Sequence, residues 1–412
     1  MTPLSTATLG TDWPDDYFKE FCNDIFRTLY RVDQRRAGKT YLHGLLNCPG
    51  RKSIRRMAAM TPGCHSEQSL QQFVNQSPWD HEPIRQRLMN YLVQALRPQA
   101  WVIEEVAFPK HGRYSAAVER QYVRSLEKVC NCQLSIVVTM ASDQFNVPVN
   151  WRLIMPDSWG HDEERRARAR IPDHVRPRPY WEYQVEVLDD MALDWGMPTA
   201  PIVLDARQLA KVESLLGALE NRGLPYLAQV SGNLQVGYAV DRPRLVGGAP
   251  VMPLTARGPS WHGTVGDLVG KLRDATRATV SWQEPDMELT LRSQFLQVRV
   301  RSNPTDEPAS RSAAPVADRQ LIAEWPFAKP QPRGYWITNI TDRSLADLVA
   351  LARLRYRVGP CIEEFADRFG LRDYEGRTFT GWHHHVTLAT AAYVFHVLTV
   401  LRDEERCVAP VA

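Results

Sequence analysis

The chain has 412 residues, which is enough for two or three domains, and its 44% hydrophobic and 24% charged content is ordinary for a soluble globular protein. Its 50 basic residues nearly balance 47 acidic ones, so bulk charge neither demands nor excludes nucleic acid as a partner. The seven cysteines form no CxxC pair and are expected to be reduced thiols in a cytoplasm. The polar start MTPLSTATLGTDWPDD is not that of a signal peptide.

Residues 15–97 are predicted to be helical. Apolar residues recur at helical spacing in DDYFKEFCNDIFRTLYRVDQRR, Pro78 ends a helix in LQQFVNQSPWD, and Pro83 lies near the start of the next helix. A basic cluster in this region consists of Arg51, Lys52, Arg55 and Arg56. It is either a solvated helix face or a patch that contacts phosphate groups.

From residue 100 the pattern changes to strands and helices. WVIEEVAF, QLSIVVTMA and VNWRLIMP are rich in β-branched residues and predict three strands. EYQVEVLDDMALDWG predicts a helix, PIVLDA a strand with Asp205 at its end, KVESLLGALENRG a second helix and PYLAQV a further strand. This order predicts a mixed α/β core, compatible with a ribonuclease-H-like fold and with other α/β folds.

Residues 231–342 mostly lack helical periodicity and are predicted to be a β-rich insertion. MELTLRSQFLQVRVRS and YWITNI are strand-like, and SNPTDEPASRSAAPVAD is a polar, proline-containing loop. Helices follow in LADLVALARLRYRV and near the C-terminus, where the apolar stretch Val386 to Leu401 is too short to span a bilayer and predicts a buried helix. The predicted domains are therefore 1–98, 99–230, 231–342 and 343–412.

Several long segments carry a family resemblance. They occur in family order between about residues 17 and 397 and read DQRRAGKTYLHGLL, RKSIRRMAA, LQQFVNQSPWD, FPKHGRYSAAVERQY, EKVCNCQ, NWRLIMPDSW, IPDHVRP, GLPYLAQV, YWITNI, LARLRYRV and YEGRTFTGWHHHVTLATAAY. With these segments the chain resembles a DDE-superfamily transposase of the insertion sequence 701 family. The resemblance implies a helical N-terminal DNA-binding domain and a ribonuclease-H-like core interrupted by a β-rich insertion. It also implies three acidic residues that bind two magnesium or manganese ions and cleave and join double-stranded DNA.

The first acidic position is altered, and the second is retained with different residues after it. The family's first catalytic strand is similar to WVIDDTGFPK, and this chain has Glu104 and Glu105 in place of the two aspartates. Glu105 is the favoured metal ligand, and the choice between the two stays open. Each glutamate is one methylene longer than aspartate, so activity should fall steeply. The second acid is retained as Asp205, but Arg207 and its neighbours replace the family's Gly-Tyr-Gly-like turn, which should weaken metal binding.

The third acidic position is lost. The family's helix resembles LRWRIERDYQELKQELGLDHYEGR. In this comparison its arginine falls on Arg355, its catalytic glutamate on Gly359 and its lysine on Ala366. Pro360 follows, and a proline inside a helix costs about 3 kcal/mol. On a regular helix Glu363 lies on the same face as Gly359, one turn further on, and Glu363 or Glu364 is the candidate substitute for the lost acid. Pro360 could also start a new helix, which would change this geometry.

Other basic residues are candidates for contacts with DNA. Lys110, Arg113 and Arg120 follow the first catalytic strand, and the loop DEERRARARIPDHVRPRP is rich in arginine. With the first basic cluster, the candidate DNA-binding residues are Arg51, Lys52, Arg55, Arg56, Lys110, Arg113, Arg120, Arg165, Arg166, Arg168, Arg355 and Arg357. The tract His383–His385 is interpreted as structural or DNA-facing rather than as a metal site.

Three functional hypotheses follow. The first is a transposase-family DNA-binding protein without normal cleavage, either an inactive remnant or a domesticated regulator in a bacterial cytoplasm, associated with the nucleoid. Its partners would be double-stranded DNA, such as terminal inverted repeats, and a second copy of itself, with no membrane. The second is an active, divergent transposase or nuclease that uses Glu105, Asp205 and Glu363 with magnesium or manganese. The third is a protein-binding scaffold. The basic clusters favour DNA binding, and Gly359 and Ala366 argue against catalysis.

Overall fold

The computed structural model describes residues 15–60, 65–239, 244–246, 249–251, 260–283, 290–302, 318–327 and 329–408. The helices are α1 (Asp15–Ile25), α2 (Val32–Asn47), α3 (Ile54–Ala59), α4 (Glu67–Asn75), α5 (Glu82–Ala95), α6 (Glu163–Ala169), α7 (Tyr180–Asp189), α8 (Val212–Asn221), α9 (Val265–Lys271), α10 (Leu345–Phe369) and α11 (Phe379–Val408). The strands are β1 (Ala100–Pro109), β2 (Glu119–Val123), β3 (Lys128–Ala141), β4 (Asn146–Leu153), β5 (Ile202–Asp205), β6 (Tyr226–Val230), β7 (Gln235–Ala239), β8 (Arg244–Val246), β9 (Ala249–Val251), β10 (Ser260–Thr264), β11 (Ala278–Gln283), β12 (Thr290–Ser302), β13 (Asp318–Pro326) and β14 (Gly334–Thr338). The polar loop predicted around residues 303–317 and the first fourteen residues lie outside the described ranges.

The described chain divides into two compact units. The first unit contains Gln99–Ile103 and Thr199–Tyr356, and the second contains residues 15–98, Glu104–Pro198 and residues 357–408. The predicted mixture of strands and helices is confirmed, because both kinds of element occur throughout these ranges. The four predicted domain boundaries stay predictions.

The first unit is built on a mixed sheet. Its β1 residues pair in parallel with β5, with Trp101 opposite Ile202, and β5 pairs in parallel with β6. On the far side of β6 the strands are antiparallel, in the order β14, β13, β12, β7 and β10, and β11 pairs with β12. The β-rich segment therefore continues the sheet of the parallel strands, because β14 bonds directly to β6.

The second unit combines helices with an antiparallel sheet. β3 pairs with β2 on one side and with β4 along its C-terminal half, where Ser135 lies opposite Leu153. Helix α11 packs against α2, α4 and α5. It is apolar and long enough to cross a membrane by composition alone, but 83% of its most apolar window is buried inside the protein. The small side chains of Ala389, Ala391 and Ala392 are fully buried, as expected for a helix at the centre of a core.

Helix α10 continues through its glycine and proline. It extends without interruption from Leu345 to Phe369 with Pro360 inside it, so the alternative in which Pro360 begins a new helix is wrong. Proline has no N–H for the carbonyl four residues earlier, and the exposed position of Gly359 and Pro360 leaves that side of the helix to solvent. The opposite face, with Val358, Ile362 and Phe365, is buried, and this burial offsets the cost of the proline.

Candidate functional site

Asp205 lies at the carboxyl end of a buried strand in the first unit. Ile202, Val203 and Leu204 are buried between the neighbouring parallel strands, whereas the Asp205 side chain is 20% exposed. Ligands of α/β proteins commonly bind outside the carboxyl ends of parallel strands. The position therefore suits a functional carboxylate, as the sequence predicts for the second acid.

Two guanidinium groups bind the carboxylate of Asp205. Arg207 donates from Nε to Oδ1 at 3.0 Å and from Nη2 to Oδ2 at 2.7 Å, and its backbone N–H donates to Oδ1 at 3.0 Å. Nη2 of Arg355 lies 3.0 Å from Oδ2. Burial alone would raise the pKa of Asp205, but the hydrogen bonds from Arg207 and the charge of Arg355 outweigh it and lower the pKa. The lowered pKa favours the ionised carboxylate, and both of its oxygens already lie next to cationic donors.

Arg355 is held in place from a second side. Its Nη1 donates to Oε1 of Gln229 at 3.0 Å, and Gln229 is a buried residue of β6. Since β6 is the strand next to β5, one guanidinium joins the side chains of two adjacent strands. The arginine that the family resemblance places at Arg355 is therefore part of the Asp205 cluster, which we define as Asp205, Arg207, Gln229 and Arg355.

The two glutamates predicted for the first acidic position lie in the second unit. Glu104 and Glu105 are half-buried, and successive strand residues point to opposite faces of a sheet, so only one of them can face a given site. The hydroxyl of Tyr180 hydrogen-bonds Glu105, and burial together with that carboxylate raises the pKa of Tyr180. Cys132 also lies close to Glu105, and its pKa is raised to about 12, first by burial, then by its hydrogen bond with Cys130. Glu105 therefore has protein partners of its own.

Glu363 forms an ion pair with a residue that the sequence analysis did not single out. Arg372 donates to both of its carboxylate oxygens, at 2.5 and 2.6 Å, and this hydrogen bonding lowers the pKa of Glu363. Arg372 also donates from Nε to the backbone carbonyl of Ala107 at 3.2 Å. No sequence pattern indicates this pair, because an acid and a base nine positions apart are joined only when the chain turns back after α10.

The arrangement around Asp205 does not fit the divalent metals that the family resemblance implies. A magnesium or manganese ion needs free carboxylate oxygens, whereas two guanidinium groups occupy those of Asp205 and would repel a dication. Within the described ranges, no group of three or more His, Cys, Asp or Glu side chains is arranged to hold a metal ion. The residues at this position therefore form an ion-paired cluster.

The predicted DNA-binding residues fall into buried and exposed sets. Lys52 is buried and its Nζ donates to the backbone carbonyl of Cys48, and Arg166 is buried and donates to the carbonyls of Pro172 and Val175. Burial lowers the pKa of Lys52. These two cations bind backbone carbonyls of loops and are buried below the protein surface.

The remaining basic residues are more accessible. Six of them are exposed, namely Arg51, Arg55, Arg56, Arg113, Arg120 and Arg168. Arg51 is exposed and pairs with Glu375 at 2.7 Å, and Arg357 donates to the carbonyl of Asp143 at 3.3 Å. Lys110 donates to the carbonyl of Tyr374 at 2.6 Å, and burial lowers its pKa to about 8.

The histidine tract is part of the core of the second unit. His383, His384 and His385 are all buried, and burial lowers the pKa of His384 and His385 to about 4. His385 hydrogen-bonds the Tyr41 hydroxyl at 2.9 Å, and His384 stacks on Trp79 with ring centroids 3.6 Å apart. The tract therefore joins α11 to the N-terminal helices.

Comparison with known proteins identifies the family of this α/β chain. The sequence profile of the family described as DDE superfamily endonuclease matches residues 24–303, which is more than half of the chain, and the chain belongs to this family. The predicted DDE-superfamily assignment is confirmed. A curated protein, the probable transposase for insertion sequence element IS701 of Microchaete diplosiphon, is 24% identical over 221 residues. That match covers 53% of this chain and 54% of the relative, so the chain spans about half the length of the curated relative it matches.

Proposed function

We propose that the protein is a DNA-binding member of the transposase family that does not cleave DNA by two-metal phosphoryl transfer. The observation that carries this proposal is the Asp205 cluster. The second acid of the family's triad is present, but Arg207 and Arg355 bind both of its oxygens. Two-metal catalysis requires carboxylate oxygens that are free to coordinate the metal ions.

The third acidic position supports the same conclusion. Gly359 stands where the family's glutamate is expected and has no side chain to offer. Glu363, the nearest substitute, is bound on both oxygens by Arg372. Ala366 replaces the family's lysine and is buried. Each residue that cleavage would need is thus missing or engaged by a protein partner.

The fold that we propose for the core is ribonuclease-H-like. In the first unit β1, β5 and β6 are parallel neighbours, and α8 connects β5 to β6. In the second unit β3 is antiparallel to β4, and α6 and α7 follow β4 along the chain. Along the chain this is the predicted order of three strands, a helix, a strand, a helix and a strand, with two additions, β2 after the first strand and α6 before the first helix.

The DNA-binding part of the proposal rests on the family and on charge. Family membership implies a DNA substrate, and the curated relative is named as a probable transposase. The exposed arginines Arg55, Arg56, Arg113 and Arg120 are available for phosphate contacts. We propose double-stranded DNA, such as terminal inverted repeats, as the partner, with homodimerisation and a bacterial cytoplasmic location as further parts of the proposal.

The test uses the purified full-length chain and labelled duplex DNA. We expect binding at low salt that weakens as salt rises, because phosphate contacts release counterions, and no strand cleavage with magnesium or manganese. Cleavage that Asp205→Ala abolishes would overturn the proposal in favour of the active enzyme that uses Glu105, Asp205 and Glu363. Absence of binding to any duplex at low salt would favour the protein-binding scaffold instead.

A further inference from the structure

An exposed tyrosine of the second unit is surrounded by arginines. Tyr114 is 40% exposed and lies between β1 and β2. The guanidinium carbons of three exposed arginines lie near the centre of its ring, Arg113 at 5.3 Å, Arg377 at 5.9 Å and Arg168 at 6.0 Å. They come from three distant parts of the chain, so only the fold brings them together around this ring.

The backbone around Tyr114 is fixed by hydrogen bonds. Nη2 of Arg165 donates to the carbonyls of Arg113 at 3.0 Å and Val118 at 2.9 Å, and the Arg165 guanidinium lies 3.8 Å from the ring centre of the buried Trp159. The N–H of Ala116 donates to the carbonyl of Arg377 at 2.9 Å. Hydrogen bonds therefore hold the backbone on both sides of Tyr114. Its ring is presented from a fixed backbone, so little conformational freedom of that backbone is lost when a partner binds.

The charges around the ring are predominantly positive. Nη2 of Arg113 donates to the Tyr114 hydroxyl at 3.3 Å, and this hydrogen bond, with the charges of the arginines, lowers the pKa of Tyr114. Arg168 is paired with the exposed Glu164 at 2.5 Å, a surface contact that is weak in water. A ring that served only the core would be buried, and this one faces solvent among cations.

The chemistry of this cluster matches a nucleotide. Guanidinium groups bind phosphate oxygens in a bidentate manner, and an exposed aromatic ring stacks on the face of a base. Bases inside a duplex are covered on both faces by their neighbours, so only an unpaired base offers a free face to Tyr114. From this geometry we propose that Tyr114 stacks on an unpaired nucleotide of bound DNA, while Arg113, Arg168 and Arg377 bind the adjacent phosphates. This inference rests on the proposed DNA binding and deepens it.

The experiment compares three labelled DNA molecules with one variant series. The DNA molecules are a blunt duplex, the same duplex with a short single-stranded overhang, and the overhang duplex with abasic sites in the overhang. The proteins are wild type, Tyr114→Leu, Tyr114→Phe and the control Tyr122→Leu, which removes another exposed tyrosine, 52% exposed, on the neighbouring strand β2. Each dissociation constant is measured by fluorescence anisotropy, and 2-aminopurine in the overhang reports stacking through quenching of its emission.

We expect wild type and Tyr114→Phe to bind the base-containing overhang about tenfold more tightly than the abasic one and to quench 2-aminopurine. Tyr114→Leu should lose this preference and the quenching, with its affinity for the blunt duplex unchanged, and Tyr122→Leu should behave as wild type. Equal affinity of wild type for the base-containing and abasic overhangs would overturn the stacking inference while leaving duplex binding intact. Failure to bind any of the three molecules at low salt would overturn both the inference and the proposed function.

Discussion

The guanidinium of Arg207 binds the carboxylate of Asp205, with Nη2 2.7 Å from Oδ2 and Nε 3.0 Å from Oδ1. An acid at the end of a parallel strand is the usual position for a functional carboxylate, and here an arginine two residues further on neutralises it. The family resemblance expects a flexible, glycine-containing turn at that point. Arg207 in this turn therefore supplies a cation to the carboxylate that the resemblance predicts as a metal ligand.

Replacing Asp205 should lower stability in a pH-dependent way. The Asp205→Asn variant leaves Arg207 and Arg355 without their anionic partner, and we expect a loss of about 2 kcal/mol in the free energy of unfolding at neutral pH. The folded-state pKa of Asp205 is lowered below its unfolded value of about 3.9, so its contribution is present above that value and is lost as pH falls through the folded pKa. Urea unfolding measured at about pH 7 and about pH 3 tests this. The difference in the free energy of unfolding between wild type and variant should be smaller at the lower pH. A difference that is constant with pH would contradict this account.

Replacing Pro360 should stabilise the protein. In Pro360→Ala the helix regains an N–H donor for the carbonyl of Tyr356. Pro360 is exposed, so removing its ring should cost little packing. We therefore expect a gain of about 2 kcal/mol in the free energy of unfolding. The control is Asp367→Ala, which introduces alanine at another exposed position of the same helix. Chemical denaturation measures both variants. Destabilisation by Pro360→Ala would mean that the proline makes a favourable contact.

Rebuilding the family's acids should create cleavage activity. The multiple variant carries five substitutions, namely Glu104→Asp, Glu105→Asp, Arg207→Gly, Gly359→Glu and Pro360→Ala. A Cβ on Gly359 would have no heavy atom within 4 Å apart from its chain neighbours and the backbone of its own helix, so a Cβ can be added there without a clash. We expect nicking of supercoiled plasmid with manganese in this variant and none in wild type. Adding Asp205→Ala should abolish it, and equal activity in wild type would show that the native site is not degenerate.

Exposed and buried basic residues should respond differently to substitution. The double variant Arg55→Gln and Arg56→Gln should weaken binding to all duplexes and reduce the slope of log affinity against log salt by about 0.9 for each phosphate that the protein no longer neutralises. Lys52→Met should instead change thermal stability and leave the salt slope unchanged, because the ammonium is buried against the carbonyl of Cys48. Anisotropy titrations over a range of salt concentrations measure the slope. An unchanged slope in the double variant would remove α3 from the DNA-binding surface.

Much of the fold was predictable because strongly periodic segments form the elements that their pattern indicates. β1, β3, β5 and β6 and the helices α7 and α8 lie where apolar runs and glycine boundaries predict them. β2 and α6 were missed. Their sequences, ERQYV and EERRARA, are short and mostly polar, so neither carries an apolar period that could be recognised. β2 is stabilised by its hydrogen bonds to β3. The start of α6 is stabilised by the Asp162 side chain, which accepts a hydrogen bond from the N–H of Arg165.

By itself, the sequence determined the family, because motif order and residue type are properties of the chain alone. From the family resemblance it also predicts that Gly359 stands at the third acidic position and that Glu104 and Glu105 stand where the family has aspartates. Only the tertiary structure decided which of the charged side chains are paired with other residues and which are buried. Arg355 reaches Asp205, Arg372 binds Glu363, and Lys52 is buried, because contacts between distant segments depend on how the chain packs. Burial of Val358, Ile362 and Phe365 likewise decided that α10 continues through Pro360, because this packing outweighs the local cost of the proline.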